Sequence, residues 1–268
     1  MEFRVNLLVV FDRDDTLVED PGFFGKDSNW REQLKVNPFA AEVIKELNSH
    51  DNVYVVVATN QAGVALGYFD EKRVVEINKA IDDELVAAGA RIDGWYYCPE
   101  VDPEYARKKG IDPSSKYVKE TMMRKPHVGM ILEAARDLNL KDFYTCCIGD
   151  KYSDVKLADN MSGLGILYIP ENRKMTMKNV SDVLRCRSLD CFAIVPNLRV
   201  VLDVLRREGL FPKTIEDKNR EAMPFMKHNR TDNSIDSGRC IKGTTETDTI
   251  KARVTTLGAR YKGEQRTD

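Results

Sequence analysis

The segment Val9-Val10-Phe11-Asp12-Arg13-Asp14-Asp15-Thr16 passes from apolar residues to three carboxylates and a hydroxyl without a break. Asp12 and Asp14 are two apart, so an extended backbone turns both side chains to the same side and lets them face one cavity. Carboxylates that close repel unless a cation lies between them, and an all-oxygen ligand set suits a hard ion such as Mg²⁺. With charge drawn off a bound phosphate in this way, one carboxylate can attack phosphorus while the other shuttles a proton. Taken alone, the segment also fits a purely structural acidic cluster opening a helix.

The elements around it narrow the choice. Leu7 to Phe11 reads as a strand buried on both faces, with its acids at the carboxyl end, where ligands bind in open parallel sheets. Val53 to Ala58 is a second such strand, ending in Thr59-Asn60-Gln61-Ala62-Gly63. Phe143 to Ile148 is another, ending in Gly149-Asp150-Lys151-Tyr152-Ser153-Asp154. Gly94 to Cys98, Gly165 to Ile169 and Cys191 to Val195 supply further strands. Between them lie apolar stripes at helical spacing: Ala40, Val43, Ile44 and Leu47 after Asn37-Pro38, and Val74, Ile77, Ile81 and Leu85 between a capping Asp70 and Gly89. Ile131, Ala134, Ala135 and Leu138 follow Arg124-Lys125-Pro126-His127, and Leu198, Val201, Leu202 and Leu205 run from Asn197 to Gly209. Such alternation predicts an α/β fold, a three-layer sandwich with a central parallel sheet. Right-handed crossovers then bring every strand's carboxyl end to one edge, collecting Asp12, Asp14, Thr59, Asp150 and Asp154 there, with Lys125 arriving at the start of a helix. Glu19 to Val36 and Pro99 to Met123 read as loops over that edge.

Composition sets the outer limits. The 43 acidic and 41 basic residues nearly balance, which removes any general attraction for nucleic acid or anionic membrane. The apolar run near the N-terminus is too short for a signal peptide or a membrane span, so a cytoplasmic protein is expected. Six scattered cysteines in mostly apolar runs predict reduced thiols rather than a disulfide framework, and His50, His127 and His228 are too far apart for a metal cluster. Residues 1–212 form the predicted domain. Residues 213–268 are polar and without sustained period, a tail expected to be disordered or loosely packed. Oligomeric state is not legible.

Together, Asp12-Arg13-Asp14-x-Thr16, Thr59-Asn60-Gln61, Arg124-Lys125-Pro126 and Gly149-Asp150-Lys151-x-x-Asp154 resemble the haloacid dehalogenase superfamily of phosphohydrolases. The run from Thr59 through Gly67-Tyr68, with Tyr96-Tyr97-Cys98-Pro99 and Arg124-Lys125-Pro126-His127, is similar to its group of heptose 1,7-bisphosphate and histidinol-phosphate phosphatases. The resemblance covers about residues 5 to 205. It implies a Rossmann-like core with a minimal cap made of loops, and a Mg²⁺-dependent phosphomonoesterase for a small phosphorylated metabolite, a sugar phosphate such as heptose 1,7-bisphosphate. It also implies roles. Asp12 is the nucleophile forming an aspartyl-phosphate, and Asp14 is the acid and then the base. Thr59 and Asn60 bind the phosphoryl oxygens, and Lys125 neutralises the transferring group. Asp150, one Asp12 oxygen and the Asp14 main-chain carbonyl hold Mg²⁺. Asp154 braces Lys125 or a metal-bound water, and Arg124 reaches the distal part of the substrate.

Departures from the pattern keep other readings open. Asp15 stands where this family normally has glycine. The structural zinc common in the group has one potential ligand here, Cys98, while Glu100, Thr121 and Met123 occupy the other three places, so no zinc is predicted. Histidinol-phosphate phosphatase, polynucleotide 3′-phosphatase and a catalytically degenerate binding protein are the alternatives.

Overall fold

The computed structural model of the chain describes residues 5–171 and 176–212, so the predicted tail and Cys240 lie outside the described residues. In chain order the elements are β1 Asn6–Phe11, α1 Trp30–Gln33, α2 Ala40–Asn48, β2 Val53–Asn60, α3 Ala62–Ala65, α4 Glu71–Ala87 and β3 Gly94–Cys98. They continue with α5 Pro103–Lys109, α6 Gly129–Asp137, β4 Phe143–Gly149, α7 Tyr152–Asn160, β5 Leu164–Tyr168, α8 Met177–Cys186, β6 Phe192–Val195 and α9 Arg199–Arg207. The strands form one sheet in the order β3-β2-β1-β4-β5-β6, and every pairing is parallel.

Alternation along the strands divides the core into two layers. Leu7, Val9 and Phe11 of β1 join Val53, Val55 and Val57 of β2 in one cluster, against α2, α4 and α9. Leu8 and Val10 point the other way, with Val56, Ala58 and Cys147, onto α6 and α7. A strand flanked on both faces must be apolar throughout. Its first charged residue therefore appears only where the sheet ends. β1 lies between β2 and β4, with Phe11 level with both Val57 and Ile148, so three strands deliver their terminal residues to one place.

The two predicted loops are more ordered than their irregular sequences suggest. Within Glu19 to Val36, α1 is anchored by Trp30, which is buried and meets Phe24 edge-on at 6.1 Å. Within Pro99 to Met123, α5 starts at an N-cap Asp102, which accepts from the Tyr105 amide at 2.7 Å, with Pro103 at its first position. That is a helix-start signal. Val101 and Ala106 of this segment pack on Ala62 and Ala65 of α3, with Tyr105, Ile111, Tyr117 and Val118 around them. Among the described residues, no helix is long and apolar enough to cross a membrane.

Candidate active site

Asp12 extends β1 by one more sheet bond, its amide donating to the Ile148 carbonyl at 2.8 Å. The chain then curls back, the Leu17 and Val18 amides donating to the Arg13 carbonyl at 2.9 and 3.1 Å. Within this curl Asp15 takes φ +62°, the left-handed region where glycine is easiest and Asp is better tolerated than most residues. The Asp15 side chain accepts from the Asp20 amide at 3.3 Å, tying the loop's two ends. Asp20 itself is pushed up from the usual carboxylate range by burial, with the Asp14 charge adding to it.

Lys125 crosses from the start of the α6 segment into the same space. Its ammonium lies 2.7 Å from Asp12 Oδ1 and 2.7 Å from Asp154 Oδ1, and donates to the Ala58 carbonyl at 2.7 Å. All three side chains are buried. Burial alone would lower the Lys125 ammonium, but Asp12 and Asp154 outweigh it and hold the lysine above its ordinary value. Burial likewise raises Asp12, and the charges of Lys125 and Lys151 reverse the direction and hold it low. The nucleophile candidate is thus an anion with a cation on one oxygen. Asp154 is raised by burial against the pull of Lys125, and its second oxygen accepts from the Lys151 amide at 3.0 Å at the start of α7.

Asp150 completes the acidic floor. Asp12, Asp150 and Asp154 each offer an oxygen within 4.8 Å of the others, all buried. Burial, reinforced by Asp12 and Asp154 and opposed by Lys151, pushes Asp150 up to about 7. A carboxyl held that high gains from any cation placed against it, and three carboxylates offer only oxygen. The residues present therefore fit a hard divalent cation. Lys151, at 2.6 Å from Asp150 Oδ1 and 3.7 Å from Asp12 Oδ2, supplies positive charge to the same group. Cβ at Gly149 would lie 2.3 Å from Asp154 Cγ, so the strand end must be glycine for Asp154 to approach.

Asp14 is oriented differently. Both its oxygens are taken by Arg13, Nε to Oδ1 at 2.9 Å and Nη2 to Oδ2 at 3.1 Å, and Gln61 Nε2 donates to Oδ2 at 2.8 Å. Its carboxylate stays outside the three-acid group, which leaves only its main-chain carbonyl for the metal role expected of it. Gln61 also donates to Thr59 Oγ1 at 2.8 Å, so the buried Thr59 hydroxyl keeps its own hydrogen to give. Asn60 differs from expectation. Its Nδ2 donates to the Lys125 carbonyl at 3.1 Å and its Oδ1 accepts from the Lys125 amide at 3.0 Å, so both ends of the amide clasp the lysine's backbone rather than a phosphate. Arg124 is half-buried, donating to the Glu100 carbonyl at 2.9 Å with its guanidinium 5.6 Å over the Tyr105 ring.

Sequence reasoning gave Arg13, Gln61 and Lys151 no task, although each stands inside a motif beside an assigned residue. Asn78, on α4, which accepts from Arg13 Nη1 at 2.9 Å, carried no signal at all. At the position of a family zinc ligand, Glu100 accepts from the Cys98 thiol at 3.3 Å and pairs with Lys119 at 3.0 Å, while Thr121 Oγ1 accepts from the Met123 amide at 3.1 Å. Burial and the Glu100 hydrogen bond push Cys98 up to about 12, so it is a thiol here.

The family model described as polynucleotide kinase 3 phosphatase matches residues 7–156. The chain is 31% identical over 152 residues to a D-glycero-beta-D-manno-heptose-1,7-bisphosphate 7-phosphatase of Haemophilus influenzae, covering 57% of this chain and 75% of that protein. It is 37% identical over 154 residues to a D-glycero-alpha-D-manno-heptose-1,7-bisphosphate 7-phosphatase of Burkholderia mallei, covering 58% and 72%. Its fold is similar to a D,D-heptose 1,7-bisphosphate phosphatase from B. bronchiseptica, solved with magnesium and phosphate, at a TM-score of 0.57 and 23% identity over 75% of this chain and 98% of that one.

Proposed function

The chain belongs to the polynucleotide kinase 3 phosphatase family within the haloacid dehalogenase superfamily, and on that premise we propose that it removes one phosphate from a small sugar bisphosphate of the heptose 1,7-bisphosphate class, in the cytoplasm, with Mg²⁺. It is a phosphoric monoester hydrolase, as its relatives are named. The observation that carries the mechanism is Asp12: a buried carboxylate kept anionic, with Lys125 2.7 Å from one oxygen and Lys151 3.7 Å from the other.

In the first half-reaction an Asp12 oxygen bonds to phosphorus as the bond from phosphorus to the leaving oxygen breaks, and Asp14 gives that oxygen a proton carried on Oδ1, which accepts from Arg13 but not from Gln61 and so has a lone pair for it. In the second, water bonds to phosphorus, Asp14 takes its proton, and the acyl-phosphate bond breaks to return the Asp12 carboxylate and orthophosphate. Lys125 and the Thr59 hydroxyl meet the equatorial oxygens, where charge stabilisation contributes most to phosphoryl transfer. Asp12, Asp150 and the Asp14 main-chain carbonyl would hold Mg²⁺, which supplies further charge neutralisation there. Asp154 keeps Lys125 in place, and Arg124 faces the substrate's distal end, suited to a second phosphate.

The test is phosphate release from heptose 1,7-bisphosphate, histidinol phosphate and a 3′-phosphorylated oligonucleotide, with Mg²⁺ and with EDTA, beside Asp12→Asn. Metal-dependent turnover of the sugar bisphosphate, abolished by the substitution, is the expected result. Preference for the oligonucleotide would move the reading to the nucleic-acid branch of the family, and its turnover should then fall steeply with salt.

A further inference from the structure

Arg13 lies between the two carboxylates of the motif, and no step of the proposed reaction uses it. Its side chain has no exposure to solvent. A guanidinium cannot shed its charge, so burial at that depth requires partners at its donors. Asp14 takes two arms as a fork, and the third, Nη1, donates at 2.9 Å to Oδ1 of Asn78, 65 residues further along the chain. Asn78 comes from the middle of α4, in the buried stripe of Val74, Ile77, Ile81 and Leu85. Asparagine is a poor helix former, and burying its amide costs free energy unless hydrogen bonds replace water. An apolar residue would suit that stripe better.

The bond to Arg13 gives asparagine a reason to be there. The guanidinium is planar with its N–H groups in a fixed fork. Holding Nη1 sets the rotation of that plane, and the two parallel bonds pass the orientation to the carboxylate. Gln61 fastens Asp14 Oδ2 from the β2 end. We infer that Asn78 is a positioning residue for the proton-transferring carboxylate Asp14, acting through Arg13. This rests on the phosphatase reading above. A poorly aimed Asp14 raises the barrier for a leaving oxygen that must be protonated as it departs. It matters far less for one that leaves readily as an anion.

The experiment compares kcat/KM for the preferred sugar phosphate with kcat/KM for p-nitrophenyl phosphate, since both report steps up to phosphoryl transfer to Asp12. Asn78→Ala should lose about tenfold or more on the sugar phosphate, less than the roughly 10²–10⁴ of a whole general acid because Asp14 is misaimed rather than removed, and less than about twofold on the nitrophenyl ester. Competitive inhibition by inorganic phosphate should be unchanged. Asn78→Asp keeps an oxygen acceptor for Arg13 and should retain the wild-type ratio. Asn78→Ser carries the same expectation as Ala should Ala fail to fold. Equal losses on both esters, or no loss on the sugar phosphate by folded protein, would overturn the relay. If the wild type, folded and loaded with Mg²⁺, cleaves neither ester, the phosphatase reading itself has failed and the relay goes with it. Turnover that depends on Asp12 but is indifferent to Asn78 sinks the relay alone.

Discussion

Lys125→Met separates what the buried lysine does for the fold from what it does for the chemistry. The substitution keeps the stem's volume and removes the ammonium that lies 2.7 Å from both Asp12 and Asp154. Three buried carboxylates then face Lys151 as their nearest cation. Breaking a buried pair from one side costs about 3–5 kcal/mol, because the surviving charge is stranded away from water. For a domain of this size each kcal/mol moves the melting midpoint by about 2–4 °C, so a fall of about 6–20 °C is expected in EDTA. Lys125→Met with Asp154→Asn removes a stranded charge as well and should recover part of that fall. Activity should not recover. On the proposed mechanism, loss of the Lys125 charge from the transferring phosphoryl group should cost about 10²–10³ in kcat whichever background carries it. Thermal melts of the metal-free proteins and phosphate release give the two readouts. A single-variant fall below about 3 °C, or a double variant no more stable than the single, would refute the account of a lysine balancing repelling carboxylates.

Two other outcomes follow from the same geometry. Gly149→Ala places a methyl 2.3 Å from Asp154 Cγ, and that side chain is pinned by Lys125 and the Lys151 amide, so a loss of about 1–3 kcal/mol is expected in urea titrations, together with reduced kcat. Cys98, with its pKa pushed up to about 12, should resist maleimide at pH 8 in the native protein and react once unfolded. Its folded pKa lies above its unfolded value, so the folded state keeps the proton longer and stability should decline from about pH 9 upward through 12, by denaturant midpoints.

The polar edge that gathers the candidate site was legible because a parallel sheet enforces a sharp boundary. Strands buried on both faces admit no charge until they end, so Asp12, Thr59 and Asp150 announce themselves by appearing where apolar runs stop. Contacts that cross the fold leave no such mark. Asn60 reaches Lys125 across 65 positions and Asn78 reaches Arg13 across the same number, and neither spacing has a period. Periodicity also failed in a second way at α8, which the sequence reading left unassigned. There the buried residues include Asn179 and Asp182, while Met177, Val180 and Leu184 face solvent. A stripe search looks for apolar residues pointing inward and finds too few in this helix, where Val183 and Cys186 pack inward beside the two polar residues. The same blindness hid Asn78, since an apolar stripe running through α4 explained that helix fully without it. Polar residues inside such stripes are where sequence patterning and local stability disagree, and in this chain the disagreement at Asn78 leads through Arg13 to the Asp14 carboxylate.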